Sequence, residues 1–459
     1  MRTIGCIGGM LAAGVVFASA ASGDSIYQGP DGGDWNVAGN WSTGWVPGFG
    51  AVREDAFVQN GLEAVLSDDL SWIDEGNEIR PRLSTLWVTG GGTASVLAGG
   101  HIWANSNTWS RGWVRVGDAS GAGTLVIDGG TVEADGGAID DGTLEVKDGL
   151  LAIRTVNTSR GLRIGTRSGR TGTLTVSGGT YRGTTSYQLL LGHAVNGTGV
   201  VHHTAGFMSD RGGVSDTEWG QWARAAGSFA QWNQSGGTNT FSRYNVGRHT
   251  NGVAEVNISG GSLLWGNGLT IGSGGTATLR VTGGTLGFST TDVDGDGFGG
   301  GAHRSLLSVG EPATGSGLVE IVGDAATIAL RGRTSQFNEV LILGTNGTAR
   351  WIIDDETVTG ISVWGVDHST LEEDDKNMTA ELAGTIDLVL DNYEPPIGHT
   401  YDLITARTIN DNGFTLSAES AEVWALAIVG DPHPDAAGQT LVATYTGPPP
   451  PPGTLIMMR

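Results

Sequence analysis

The sequence predicts an all-β protein: a parallel β-helix (β-solenoid) with a small β-rich closing domain at its C-terminal end. Three observations carry this. Glycine supplies 79 of the 459 residues, against an ordinary share of roughly 7%. An apolar residue followed by glycine recurs along the middle of the chain, and between these anchors apolar and polar residues alternate. The glycines keep no Gly-X-Y register and prolines number only 13, which excludes a collagen-like rod. With 38% hydrophobic residues the chain has apolar surface to bury, unlike a disordered one.

From the N-terminus, residues 1–20 read as a secretory signal peptide. Arg2 leads, an apolar stretch runs from Ile7 to Phe17, and Ala18-Ser19-Ala20 is a small-x-small cleavage pattern. An exported protein, extracellular or at the cell surface, is expected. The single cysteine, Cys6, lies inside that leader, so a mature chain from Ala21 holds no disulfide, thiolate metal site or cysteine nucleophile. Residues 21–85, with Trp35, Trp41 and Trp45, form a Trp-rich entry and capping segment.

Residues 86–360 are the solenoid. Its anchors are Val116-Gly117, Ile164-Gly165, Leu191-Gly192, Trp219-Gly220, Val246-Gly247, Ile271-Gly272, Val309-Gly310 and Leu343-Gly344, with glycines 48, 27, 28, 27, 25, 38 and 34 residues apart. The first gap equals two steps of 24, and Leu144 to Gly149 offers a turn of chain within it. Each repeat continues into an alternating strand closed by a glycine pair: Leu174/Val176 before Gly178-Gly179, Val256/Ile258 before Gly260-Gly261, Leu279/Val281 before Gly283-Gly284. Alternation is the period of a strand with one buried face, and the glycine pairs make the corners. Strands this short bury their apolar face only by stacking on the next turn of chain, about 4.8 Å away. A propeller blade would need roughly 40 to 50 residues. Residues 361–447 read as the closing β-domain over an end that needs covering, and 448–459 as a proline-rich disordered tail. No run of about 18 apolar residues follows the leader, so no transmembrane helix is expected.

Residues 162–181 (LRIGTRSGRTGTLTVSGGTY) and their echo at 269–286 resemble the repeats of secreted bacterial proteins with autotransporter-like or adhesin-like β-helices, a group often carrying PEP-CTERM tails. The opening DWNVAGNWSTGWVPG (34–48) is similar to that group's Trp-rich entry, and YDLITA (401–406) through LVATYTG (441–447) to its closing β-domain. The resemblance implies a surface or matrix role. The segment after Pro448–Pro452 lacks the apolar sorting helix and basic tail of PEP-CTERM proteins.

With 25 Lys+Arg against 48 Asp+Glu the net charge is −23. Nucleic acid is therefore excluded as a partner, because polyphosphate binding rests on clustered Lys and Arg. Against this background the loops after the anchor glycines carry Arg167, Arg170, His193, Arg224, Arg248 and His249. Equivalent loops of a solenoid stack in line, so these residues form a candidate cationic strip for an extracellular polysaccharide or surface glycan, preferably an acidic one. Stacked arginines repel unless an anion compensates. Exposed tryptophans among Trp103, Trp109, Trp113, Trp219, Trp222 and Trp232 would stack on sugar faces, while buried ones would fill the core.

Asp292, Asp294 and Asp296 alternate before Gly297, the beginning of a calcium-wrapping loop. An EF-hand would carry Glu at the twelfth position, where His303 stands, so a structural Ca²⁺ is expected rather than an EF-hand. Catalysis by carboxylates would fall to Asp118, Asp140 and Asp141, since glycoside hydrolysis needs two carboxyl groups roughly 5 to 9.5 Å apart. Gly295-x-Gly297-x-x-Gly300 lacks the strand and helix of a dinucleotide site. No histidine is followed by Glu, and no Gly-x-Ser-x-Gly elbow occurs. The expected role is thus a non-catalytic structural, adhesive or glycan-contacting one, with a polysaccharide-degrading enzyme and a self-assembling surface-layer component as alternatives.

Overall fold

The computed structural model describes residues 24–448 apart from 48–53, 68–71, 75–76, 80–81, 105–111, 155–160, 184–188, 211–219, 289–305, 312–313, 334–338, 367–372, 375–377 and 432–437. The chain winds as a three-sided parallel β-helix in which each full turn lays one strand on each of three sheets. Sheet I runs from Gly33–Asp34 through Glu63–Leu66 and Thr93–Leu97 to Thr415–Leu416. Sheet II runs from Arg82–Leu83 through His101–Ala104 to Thr400–Ala406. Sheet III runs from Ser25–Ile26 through Asp55–Val58, Thr85–Val88, Trp113–Val116 and Gly136–Ile139 to Thr408–Asp411. Long strands such as Thr171–Gly183 serve sheet I and then sheet II, bending at Ser177 where the register slips. Among the described residues, 37 strands join in one sheet around the core.

The expected alternation is what fills that core. Leu144, Leu174, Val201, Trp232, Val256 and Leu279 are paired turn by turn and all point inward, each at most 1% exposed. Burying each such side chain contributes roughly 1.5–3 kcal/mol. The middle turns replace aliphatics by aromatics. Trp222 stacks on Trp232 at 5.1 Å, Tyr244 meets Trp222 at 4.9 Å, and Phe241 meets Tyr244 edge-on at 4.3 Å. Outside, sheet I carries a ladder of alternating sign: Arg280 to Glu320 at 2.8 Å, Glu320 to Arg350 at 3.4 Å, Arg350 to Asp387 at 2.7 Å.

Three features refine the sequence reading. The turn hidden in the 48-residue gap has Gly136–Ile139 as its sheet III strand, and Asp140 stands where the flanking turns have Gly117 and Gly165. Leu144 to Val146 is that turn's sheet I strand. Trp219-Gly220 is not an anchor: Leu191 pairs with Trp222, so Ala223 takes the glycine place, with φ of 53°. Gly220 instead points inward, where an added Cβ would lie 1.9 Å from the Tyr244 ring.

The ladders also run past both expected boundaries. Ser25–Ile26 and Gly33–Asp34 already belong to sheets III and I, and Tyr27, Trp35 and Trp41 pack edge-to-face inside this first turn. Beyond residue 360, Ile361–Val366, Thr379–Leu382 and Thr385–Leu390 continue the three sheets. Glu373–Asp374 pairs antiparallel with the end of Ile361–Val366, and Trp424–Asp431 and Gly438–Tyr445 form an antiparallel hairpin on the last strand of sheet II. Among the described residues no helix is long and apolar enough to cross a membrane.

Candidate functional site

Strand geometry sends alternate residues of sheet III outward, and in-register pairing stacks Phe57, Trp87, Arg115, Ala138 and Arg163 on successive turns. Their neighbours Leu86, Val88, Val114 and Val116 point into the core. Trp87 lies between Phe57, on which it stacks at 5.6 Å and 7°, and Arg115, whose guanidinium sits 4.5 Å from the indole centroid. Arg163 lies 5.3 Å over the ring of Trp113. The small Ala138 between the two arginines leaves a hollow there, part of a groove of about 560 Å³ that runs from Asp55 to His193 along the helix axis. Arginines are thus held over the rings of Trp87 and Trp113 by cation–π attraction.

Asp140 forms one wall and is 1% exposed. One carboxylate oxygen accepts from the Thr166 hydroxyl; the other lies 3.5 Å from Arg115 Nη2 and 3.5 Å from Arg167 Nε. Burial pushes this carboxyl above the usual carboxylate value, Arg115 and Arg167 oppose the push, and Asp118 adds to it. At the far end His193 is held down at about 4, by burial first and then by the charges of Arg163 and Arg224, so it is neutral at pH 7. Arg224 Nη1 lies 3.3 Å from His193 Nδ1. A guanidinium only donates, so Nδ1 accepts and Nε2 carries the proton. The groove is therefore lined by Arg115, Arg163, Arg167 and His193, whose N–H donors are of the kind that pair with anions.

Of the sequence-derived candidates, Asp140, Arg167 and His193 converge here, and Arg224 supports His193. Arg170 turns away to pair with Asp141 at 3.0 Å. Asp118 sits in the neighbouring loop, accepting from the Ser120 amide at 2.7 Å. Arg248 and His249 are exposed on the loop after Thr238–Val246. Asp292, Asp294 and Asp296 lie outside the described residues, and among the described residues no group of three or more His, Cys, Asp or Glu is placed to hold a metal. Trp222 and Trp232 are core, Trp113 lines the groove, and Trp109 and Trp219 lie outside the described residues.

Sequence reasoning missed Trp87, Arg115 and Arg163. The signal was present: Arg115 and Arg163 each stand two residues before an anchor glycine, on the outward phase of the strand. Comparison with known proteins adds no assignment, since no family model, curated protein or solved structure matches the chain.

Proposed function

We propose that this chain is an exported, non-catalytic β-solenoid that binds an acidic polysaccharide at the cell surface or in the extracellular matrix, along the groove of sheet III. One observation carries the reading: on a protein of net charge −23, whose overall field repels polyanions, three arginines and a neutral histidine line one groove. The groove crosses several turns parallel to the axis, the direction in which a linear polymer gathers repeated weak contacts. Cleavage is the weaker reading because hydrolysis needs an acid and a second carboxyl in reach, whereas both oxygens of Asp140 are already engaged.

Size-exclusion light scattering of the protein with dextran sulfate, polygalacturonate and neutral dextran, with and without calcium, tests this. The expected result is co-elution with the two anionic polymers at constant polymer mass, none with dextran, and loss of co-elution in Arg115→Ser/Arg163→Ser. Equal retention on neutral dextran, or unchanged retention of the double variant, would refute it. A falling polymer mass would make the protein an enzyme, and growth of the protein's own mass without polymer would favour self-assembly.

A further inference from the structure

We infer that Asp140 sets the selectivity of this groove, as a built-in counter-anion that competes with the ligand's anions for Arg115 and Arg167. The inference rests on the acidic-polysaccharide reading above. Position is the first argument. The turns on either side carry Gly117 and Gly165 at this place, so a carboxylate here is a departure from the repeat, and it enters where arginines from the preceding and following turns meet. Layering is the second. The Asp140 side chain is 2% exposed, while those of Arg115 and Arg167 are 34% and 39% exposed. The guanidinium groups are thus the exposed partners of a buried negative charge.

Distance is the third argument. Both arginines stand 3.5 Å from the same Asp140 oxygen, longer than the roughly 2.7–2.9 Å of a tight charge-assisted hydrogen bond. Asp140 offsets one of their two positive charges without locking either side chain, and leaves N–H groups for a second anion. An incoming anion shares two guanidinium groups with a carboxylate already there, so weakly charged glycans gain little and densely charged ones prevail. Protonation of Asp140 removes the competitor. The groups facing it are Arg115 from its own sheet, Thr166 and Arg167 from the next turn, and Asp118 from the preceding loop. Farther along, His193 faces Arg163 and Arg224, and the Asp55 carboxyl lines the opposite end of the groove.

The test is the affinity for dextran sulfate, whose sulfates stay ionised throughout, between pH 7 and pH 4 at fixed ionic strength. Wild type should tighten as pH falls. Asp140→Asn should bind on the order of tenfold tighter at pH 7 and lose most of the acid-dependent gain, whereas His193→Gln should keep it. Asp140→Gly, which restores the residue of the neighbouring turns, should match Asp140→Asn and decides the matter should the latter not fold. Equal or weaker binding by the Asp140 variants, an unchanged pH profile in them, or loss of the profile in His193→Gln would overturn the inference. No binding by wild type at any pH would instead overturn the polysaccharide reading on which it rests.

Discussion

At Gly272 two costs would fall on a single added methyl group. The residue has φ of 77°, a left-handed conformation that costs an L side chain roughly 1–2 kcal/mol. Its Cβ would lie 2.4 Å from the carbonyl carbon and oxygen of Ser316 and 2.5 Å from the amide nitrogen of Gly317, on the next turn. Those atoms cannot swing aside, because Ser316 N donates to Gly275 O at 2.9 Å and Gly317 N to Asn346 O at 3.2 Å. Overpacking against a fixed wall costs about 1–3 kcal/mol, so Gly272→Ala is expected to lose about 2–5 kcal/mol in all. Gly169 supplies the control: φ is 69° but nothing lies within 4 Å of its Cβ, leaving roughly 1–2 kcal/mol of strain alone. Urea unfolding followed by far-UV circular dichroism measures both. Hydrogen exchange should place the Gly272→Ala loss in the turns around 269–281 and 307–321, since each turn touches only its neighbours. Equal losses in the two variants would mean that the turns do not stack in the described register, and the reasoning would fail.

The aromatic middle of the core makes a second stability prediction. Trp232→Ala should cost about 3–5 kcal/mol, read by the same unfolding assay, and a loss under about 1 kcal/mol would contradict the stack on Trp222. The sheet I ladder predicts pH dependence. Burial alone would raise the Asp387 carboxyl, but hydrogen bonds from Ser417, Arg350 and Ser420 hold it below the usual value. A depressed carboxylate contributes stability that is present above its unfolded value of about 3.9 and is lost as pH falls through the folded one. Arg350→Met should shrink that acid-side loss in melting curves taken from pH 5 to pH 2; an unchanged slope would count against the ladder.

The parts of this fold that were legible are those in which physics leaves one choice. Close stacking of turns favours glycine in the corner after the sheet III strands of the middle turns, and a half-buried strand forces alternation, so Gly117, Gly165, Gly192, Gly247 and Gly272 marked the turns. The reading slipped where another residue holds the glycine place. Asp140 concealed a whole turn, and Ala223, tolerating φ of 53°, passed the anchor role to Gly220, a glycine that exists to clear the Tyr244 ring. The groove was half legible for a related reason. Loop residues after the anchors were aligned, and they yielded Arg167 and His193; the outward strand positions before them were not, and they hold Arg115, Arg163 and the tryptophans. Which arginines meet a carboxylate depends on side-chain reach across turns, which spacing alone does not express.

The hidden turn at Gly136–Ile139 also bears on how such a protein changes over generations. Because each turn makes its contacts only with the turns before and after it, copying one repeat in tandem would lengthen the groove by a single step of about 4.8 Å while the core met the same neighbours as before. A point change at the corner could then alter the charge of the new turn, since residue 140 is aspartate where the flanking turns have glycine. Length and chemistry are inherited separately in this architecture, so the reach of the groove can change without redesigning the residues that line it.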